Sequence, residues 1–144
     1  MTRTNDPTDN VGFLLAKASQ HVNEWLVERF TAGGFGEVRA SYGSVLVPLL
    51  QQDGLRLGEL ASASRLSKQA MTGLVARCEA DGLVERKRDP LDGRAFNVRL
   101  TRRGREFGQL ATTVLADLDE QLVRSLGTRD NDALVRALRG VLEL

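Results

Sequence analysis

From Leu57 to Gly104 the chain reads LGELASASRLSKQAMTGLVARCEADGLVERKRDPLDGRAFNVRLTRRG, and the spacing of its apolar residues changes period along the way. Leu57, Leu60 and Ala61 start a short helix, and Ser64-Arg65-Leu66 forms a tight connection. Ser67 then caps a second helix by accepting a hydrogen bond from an exposed backbone N–H. Inside that helix Met71, Leu74, Val75 and Cys78 recur at i, i+3, i+4 and i+7, and Gly82 supplies the left-handed stop. Beyond Leu83 the period drops to two. Phe96, Val98 and Leu100 alternate with Asn97 and Arg99 as in a half-buried strand, and Leu83 to Arg88 is its partner. Asp89-Pro90-Leu91-Asp92-Gly93 has the turn chemistry to join the two strands. The predicted fold is mainly α with a small β-hairpin: a helix-turn-helix followed by a hairpin.

Outward from this segment the pattern is helical. Val11, Leu15, Ala18, Val22, Trp25, Leu26 and Phe30 mark a first helix that ends at the Gly33-Gly34-Phe35-Gly36 cluster. Residues 1–10 show no periodicity and read as a frayed end. A second helical segment runs from about Ser41 to Gln52. Pro48 predicts a kink or a boundary there, because it lacks an N–H and clashes with the carbonyl one turn earlier. Thr101 can cap a long helix through Phe107, Leu110, Ala111, Val114, Leu118, Leu122 and Leu126. Gly127-Thr128 breaks it before a last helix carrying Leu134, Leu138, Val141 and Leu142. Two readings of these terminal stripes stand side by side: internal burial in a monomer, or interleaving with a second copy in a symmetric dimer.

With 144 residues, 42 % of them apolar, the chain can build a core without a metal or disulfide staple, and the lone Cys78 has no intramolecular partner. The polar start MTRTNDPTDN lacks the apolar core of a signal peptide and no apolar run reaches a membrane span, so a reducing cytoplasm is expected, with no membrane partner. The net charge of +1 conceals a segregation. Between Arg65 and Arg105 lie eleven basic and five acidic residues, a net of +6, while the remainder carries −5. Such a run can be a solvated face. Its placement on the helix-turn-helix and hairpin points instead to DNA.

On the helix after Ser67, the face opposite the apolar stripe carries Gln69, Thr72, Gly73 and Ala76. Gln can pair bidentately with adenine, and Thr can hydrogen-bond a base edge or meet a thymine methyl. Gly73 and Ala76 are small enough to let the helix approach a major groove, and Lys68 and Arg77 flank the face where phosphates would lie. A solvated face more usually carries several charges. Arg86, Lys87, Arg88 and Arg94 make the hairpin a basic finger that can lay an Arg in a narrow minor groove. Asp92 can hold the Arg94 guanidinium, or a neighbouring one, in one orientation. The alternative is an edge hairpin whose charges only prevent aggregation.

The stretch from Arg88 to Gly104, with Asp89, Pro90, Asp92, Arg94, Val98, Leu100, Thr101 and Gly104 in place, resembles the wing signature of the MarR family of bacterial winged helix-turn-helix regulators. Leu57 to Arg86 resembles the segment before it, and the likeness extends over about Gly36 to Arg105. It implies a homodimer built on the first, fifth and sixth helices. It also implies a near-palindromic operator, with Gln69 and Thr72 in the major groove, Arg94 in the minor groove, and half-sites roughly 34 Å apart. The domain then spans 1–144, with dimerisation helices at about 11–31 and 101–144 and a DNA-binding lobe at about 37–100. On DNA the protein would be nucleoid-associated. The expected DNA-binding set is Arg65, Ser67, Lys68, Gln69, Thr72, Arg77, Arg86, Arg88, Asp92 and Arg94. Arg65 stands where many relatives have Gly, which implies a strained backbone or an extra phosphate contact.

Many relatives respond to small aromatic ligands, and His21, Trp25, Arg39 and Tyr42 are the residues here that could line such a pocket. Trp25 can equally be core. A redox switch through Cys78 is the rival trigger, although a thiol on an apolar face is usually inert packing. A winged-helix module that binds protein and not DNA is the other alternative. One His and one Cys far apart form no catalytic or zinc-ligand set, and the glycine cluster follows a helix, not a strand as a dinucleotide loop would. The sequence therefore predicts a regulator, more readily a repressor than an activator, with no enzymatic activity and no cofactor or metal.

Overall fold

The structure, a computed structural model, describes residues 6–144. Six α-helices and three short strands follow one another as α1 (Val11–Ala32), α2 (Gly43–Gln51), β1 (Leu55–Arg56), α3 (Leu57–Ala63), α4 (Lys68–Ala80), β2 (Val84–Arg88), β3 (Phe96–Leu100), α5 (Arg102–Leu126) and α6 (Thr128–Leu142). The chain forms two compact units that divide within α5, one up to Leu110 and one from Ala111 onward.

The amino end departs from the expected fraying. Residues 1–5 lie outside the described residues, but Pro7–Asp9 form a 3-10 turn capped by Asp6. Asn10 then caps α1, its Oδ1 accepting from the Gly12 N–H at 2.9 Å. Pro48 also departs from expectation, since it sits inside α2 with no boundary, after a separate 3-10 turn at Ala40–Tyr42. The carbonyl that Pro48 leaves without its helical donor is that of Ser44. Ser64 Oγ donates to it at 2.5 Å, so the backbone group is satisfied from the turn between α3 and α4. A single hydroxyl thus ties the second helix to the helix-turn-helix.

The core of the first unit collects Val45, Leu46 and Leu49 of α2, Leu60 of α3, Met71, Val75 and Cys78 of α4, and Val84 and Val98 of the sheet. The predicted α4 stripe is the buried one. Phe107 seals one side of this core, meeting Phe30 and Phe35 edge to face at 4.8 and 5.4 Å between ring centroids. The sheet is antiparallel in the order β1-β3-β2. Val84 to Arg88 pair with Leu100 to Phe96 as the alternation requires. The two-residue β1, with Leu55 opposite Val98 and Arg56 opposite Asn97, is too short to leave a sequence signature.

Burial along β3 corrects the simple alternation. Asn97 is buried because β3 is the central strand, flanked at that point by Arg56 and Lys87. Phe96 is half exposed, at the rim of a small cavity of about 170 Å³ that Leu57, Thr72, Val75, Arg86 and Val98 also line. The base of the hairpin is fixed by backbone proximity. A Cβ at Gly104 would come 2.1 Å from the Leu83 carbonyl oxygen, so only glycine lets α5 start this close to the end of α4. Thr101 completes the joint, its Oγ1 donating to the Gly82 carbonyl at 2.6 Å and accepting from the Gly104 N–H at 3.1 Å.

Candidate nucleic-acid interface

The connection between α3 and α4 takes its shape from one left-handed residue. Arg65 has φ +53°, among the described residues the only non-glycine with positive φ, which a side chain adopts at a cost of about 1 kcal/mol or more. This is the strained backbone expected from an Arg where Gly would be easier. Ser67 then caps α4, its Oγ accepting from the Ala70 N–H at 3.1 Å. Ser67 therefore spends its oxygen on the helix start.

On α4 the residues Gln69, Thr72, Gly73 and Ala76 are all exposed, on the side away from the buried stripe. Thr72 Oγ1 donates to the Lys68 carbonyl at 2.7 Å, which leaves its methyl and oxygen lone pairs to face outward. A Cβ at Gly73 would meet nothing within 4 Å, so packing within the chain does not demand a glycine there. Lys68 and Arg77 are exposed on the same helix with no ion pair among the described residues.

The wing is a preorganised tip. Asp89 Oδ1 accepts from the Leu91 N–H at 2.9 Å, and Asp92 Oδ1 accepts from the Arg94 N–H at 3.1 Å. Asp92 thus holds the Arg94 backbone, and the expected grip on its guanidinium is absent. The carboxylate that does hold a guanidinium is Asp89, which pairs with Arg56 at 2.8 Å and ties the tip back to β1. Hydrogen bonds from Leu91 and then Arg56 keep the Asp89 carboxyl below its ordinary range. Arg94 has no side-chain ion pair among the described residues.

Other cations of the hairpin are already committed. Arg86 pairs with Glu79 of α4 at 3.0 Å, and that hydrogen bond holds the Glu79 carboxyl below its usual range. Lys87 meets Glu85 at 3.2 Å, and the Arg88 guanidinium lies 6.0 Å from the centre of the Phe96 ring. Arg86 is better described as a brace between wing and recognition helix than as a free contact. Sequence spacing could not reveal this, because residues 79 and 86 meet only through the turn at Gly82.

Of the four pocket candidates, the structure brings two together. Arg39 and Tyr42 line a cavity of about 520 Å³ with Glu37, Ser41, Arg77 and Asp81. His21 and Trp25, one turn apart on α1, are not among its lining residues, and Trp25 is half-buried with the Arg29 guanidinium 3.4 Å from its ring centre. Tyr42 Oη donates to Asp81 Oδ2 at 2.5 Å, a bond from the segment before α2 to the end of α4 that no spacing in the chain signals. Burial, with Asp81 beside it, pushes the Tyr42 phenol up to about 12. Burial likewise pushes the Cys78 thiol up to about 12, so the nucleophilic thiolate an oxidant sensor needs is disfavoured.

The model of the MarR family matches residues 41–95, the span from α2 through the wing tip. Wild-type MarR from E. coli, in its apo form, is 25% identical over 92% of this chain and 97% of its own, with a TM-score of 0.68. The segment 41–95 is similar to the MarR family, and the whole chain resembles such regulators in fold. A transcriptional repressor, CouR, solved bound to a 23-mer DNA duplex, is 23% identical and superposes with a TM-score of 0.81 over 99% of each MarR-like chain. The HTH-type transcriptional regulator BilQ of Clostridioides difficile (strain CD3) is 25% identical over 88 residues, 61% of this chain, and the match spans 60% of BilQ itself. These MarR-family relatives are transcriptional regulators and not enzymes. Among the described residues no helix is long and apolar enough to cross a membrane.

Proposed function

We propose that this chain is a MarR-family transcriptional repressor that binds a near-palindromic operator as a homodimer and is released by a small ligand. The observation that carries the reading is the exposed face Gln69, Thr72, Gly73 and Ala76, flanked by unpaired Lys68 and Arg77 and accompanied by a wing that presents Arg94. Gln69 and Thr72 read base edges in the major groove, Arg94 enters the minor groove, and Lys68 and Arg77 meet phosphates. Arg65, Ser67, Arg86, Arg88 and Asp92 support that surface, through backbone shape, capping, bracing and the fixed wing. The DNA-bound state of CouR supports the same assignment.

Exposed apolar side chains support the dimer. Val11, Phe13 and Leu14 on α1, Leu115, Val123 and Leu126 on α5, and Leu134, Val135, Leu138, Val141 and Leu142 on α6 are not covered in a single copy. Phe30, Phe107, Ala111 and Val114 of the terminal stripes are buried within one copy, whereas these side chains are not, and a second copy would cover them. The dimerisation helices are about 11–31 and 101–144 and the DNA-binding lobe is about 37–100. For the effector, Arg39 and Tyr42 open onto the cavity beside α4, where Tyr42 already bonds Asp81. A ligand there would act on the recognition helix through that bond.

The test is a gel shift on palindromic fragments from the region upstream of the gene, repeated across salt. Three cationic contacts per protomer, from Lys68, Arg77 and Arg94, give a dimer a log–log salt slope of about −5. Binding that is absent, or insensitive to salt, overturns the proposal.

A further inference from the structure

Apart from the terminal helices and the last residue, Leu144, the exposed large apolar side chains among the described residues occur at two places: Val47 and Leu50 on α2, and Leu91 and Phe96 on the wing. Leu91 is the most exposed of these four at 95 %, and it occupies the middle of the wing turn, where polar residues are the usual choice. A single exposed leucine is ordinarily unremarkable. Here its setting gives it a direction. Its own N–H is bound by Asp89, Asp89 is tied to Arg56, and the backbone closes through Asp89 N to Ala95 O at 2.9 Å and Ala95 N to Asp92 O at 3.0 Å. The tip is therefore held in shape before it meets anything, and little ordering entropy remains to be lost on contact. Three residues along, Arg94 carries a guanidinium with no ion pair among the described residues, and Arg88 stands in the last strand pair before the tip.

We infer that Leu91 is an apolar wedge that seats against the sugar walls of the DNA minor groove beside Arg94. The inference rests on the DNA-binding reading above and adds a contact to it. The occupant follows from the neighbours. An apolar tip flanked by a free cation matches a groove that is negative in potential, lined by deoxyribose carbons, and narrowest over A·T steps. In that position Arg94 supplies attraction and Leu91 supplies apolar burial, two terms with different salt dependence.

The experiment measures operator affinity across salt for the wild type, Leu91→Ala and Arg94→Ala. Because the Leu91 side chain is almost wholly exposed, Leu91→Ala should fold as the wild type does, which circular dichroism and thermal melting check. Burying a leucine side chain and losing most of it on truncation corresponds to a loss of about tenfold in affinity per protomer, about a hundredfold for a dimer, with an unchanged salt slope, since no charge is removed. Arg94→Ala should instead make the slope shallower by about 2 for a dimer. A second readout is the minor-groove ligand distamycin, which should compete with the wild type more effectively than with Leu91→Ala. Leu91→Ala binding as tightly as the wild type, or losing salt slope as well as affinity, overturns the wedge while leaving the DNA reading intact. A wild type that binds no DNA at any salt overturns both.

Discussion

Gly73→Ala should make the protein more stable and weaken its hold on DNA. Gly73 lies well inside α4, five residues from Lys68 at its start and seven from Ala80 at its end. A Cβ built there touches nothing within 4 Å, so the methyl meets no steric opposition in the free protein. What remains is backbone entropy, and replacing glycine by alanine in a helix interior gains roughly 0.5–1 kcal/mol. In a domain of this size that raises Tm by roughly 2–4 °C. The same methyl projects from the face carrying Gln69, Thr72 and Ala76, so if α4 lies in a major groove it must stand off or tilt. Degrading one well-formed base contact costs about 1–3 kcal/mol, a loss of roughly 5- to 150-fold in specific affinity. Thermal melting followed by circular dichroism gives the first quantity, and fluorescence anisotropy on cognate and scrambled duplexes gives the second. Scrambled DNA should be bound nearly as before, because phosphate contacts do not depend on Gly73. Unchanged cognate affinity in a stabilised variant would refute the placement of this face against DNA, and a loss of stability would refute the helix geometry at Gly73.

Gln69→Ala should relax preference at one base pair by about 1–3 kcal/mol while leaving others intact, as read by binding to single-substitution operators; an equal loss on all sequences would make Gln69 a phosphate contact. Ser64→Ala should cost about 1–3 kcal/mol in urea denaturation because it strips the Ser44 carbonyl of its donor, and Pro48→Ala, which restores a helical donor, should recover part of that loss; strictly additive effects would refute the coupling. Cys78→Ala and the wild type should respond alike to peroxide in DNA binding, since the thiol is buried; protection in the variant would restore the redox switch. Tyr42 and Cys78 both have folded pKa values raised to about 12, above their ordinary 10.0 and 9.0, so each contributes stability that is fully present below those ordinary values. Stability should therefore fall as pH rises from about 9 toward 12, and Tyr42→Phe should flatten the upper part of that decline in pH-dependent denaturation.

Much of the architecture was legible because it rests on local rules. The stripe from Met71 to Cys78, the Ser67 cap, the Gly82 stop and the Asp-Pro turn each depend on residues within one or two turns of chain. What escaped the sequence is tertiary. Pro48 predicts a kink or a boundary from its local chemistry; no boundary forms, and Ser64, sixteen residues away, satisfies the stranded carbonyl as the helix continues. Asp92 stands two residues from Arg94 and invites a side-chain pair, whereas the tight turn turns that carboxylate onto the backbone N–H. The Tyr42–Asp81 bond joins residues 39 apart and leaves no spacing signal at all.

Charge shows most clearly why composition alone misjudges the candidate interface. The segment from Arg65 to Arg105 carries a net +6, but much of that positive charge is already engaged within the fold. Arg86, Lys87, Arg102 and Arg103 meet Glu79, Glu85, Glu106 and Glu37, and Arg105 donates to the Leu100 carbonyl at 3.0 Å. Two of the carboxylates come from outside the segment, so the acidic flanks partly neutralise the basic middle in space as well as in the sum. These exposed pairs are each worth little to stability. Their consequence is positional: they withdraw cations from the start of α5 and the body of the hairpin. Among the described residues Lys68, Arg77, Arg88, Arg94 and Arg99 have no ion pair, and Lys68, Arg77 and Arg94 of these lie exposed on the flanks of the α4 face and at the wing. A field that would otherwise spread over a whole lobe is thereby confined to the positions where two strands of a duplex would run past a helix in its groove, which favours one docking orientation over general adhesion to nucleic acid.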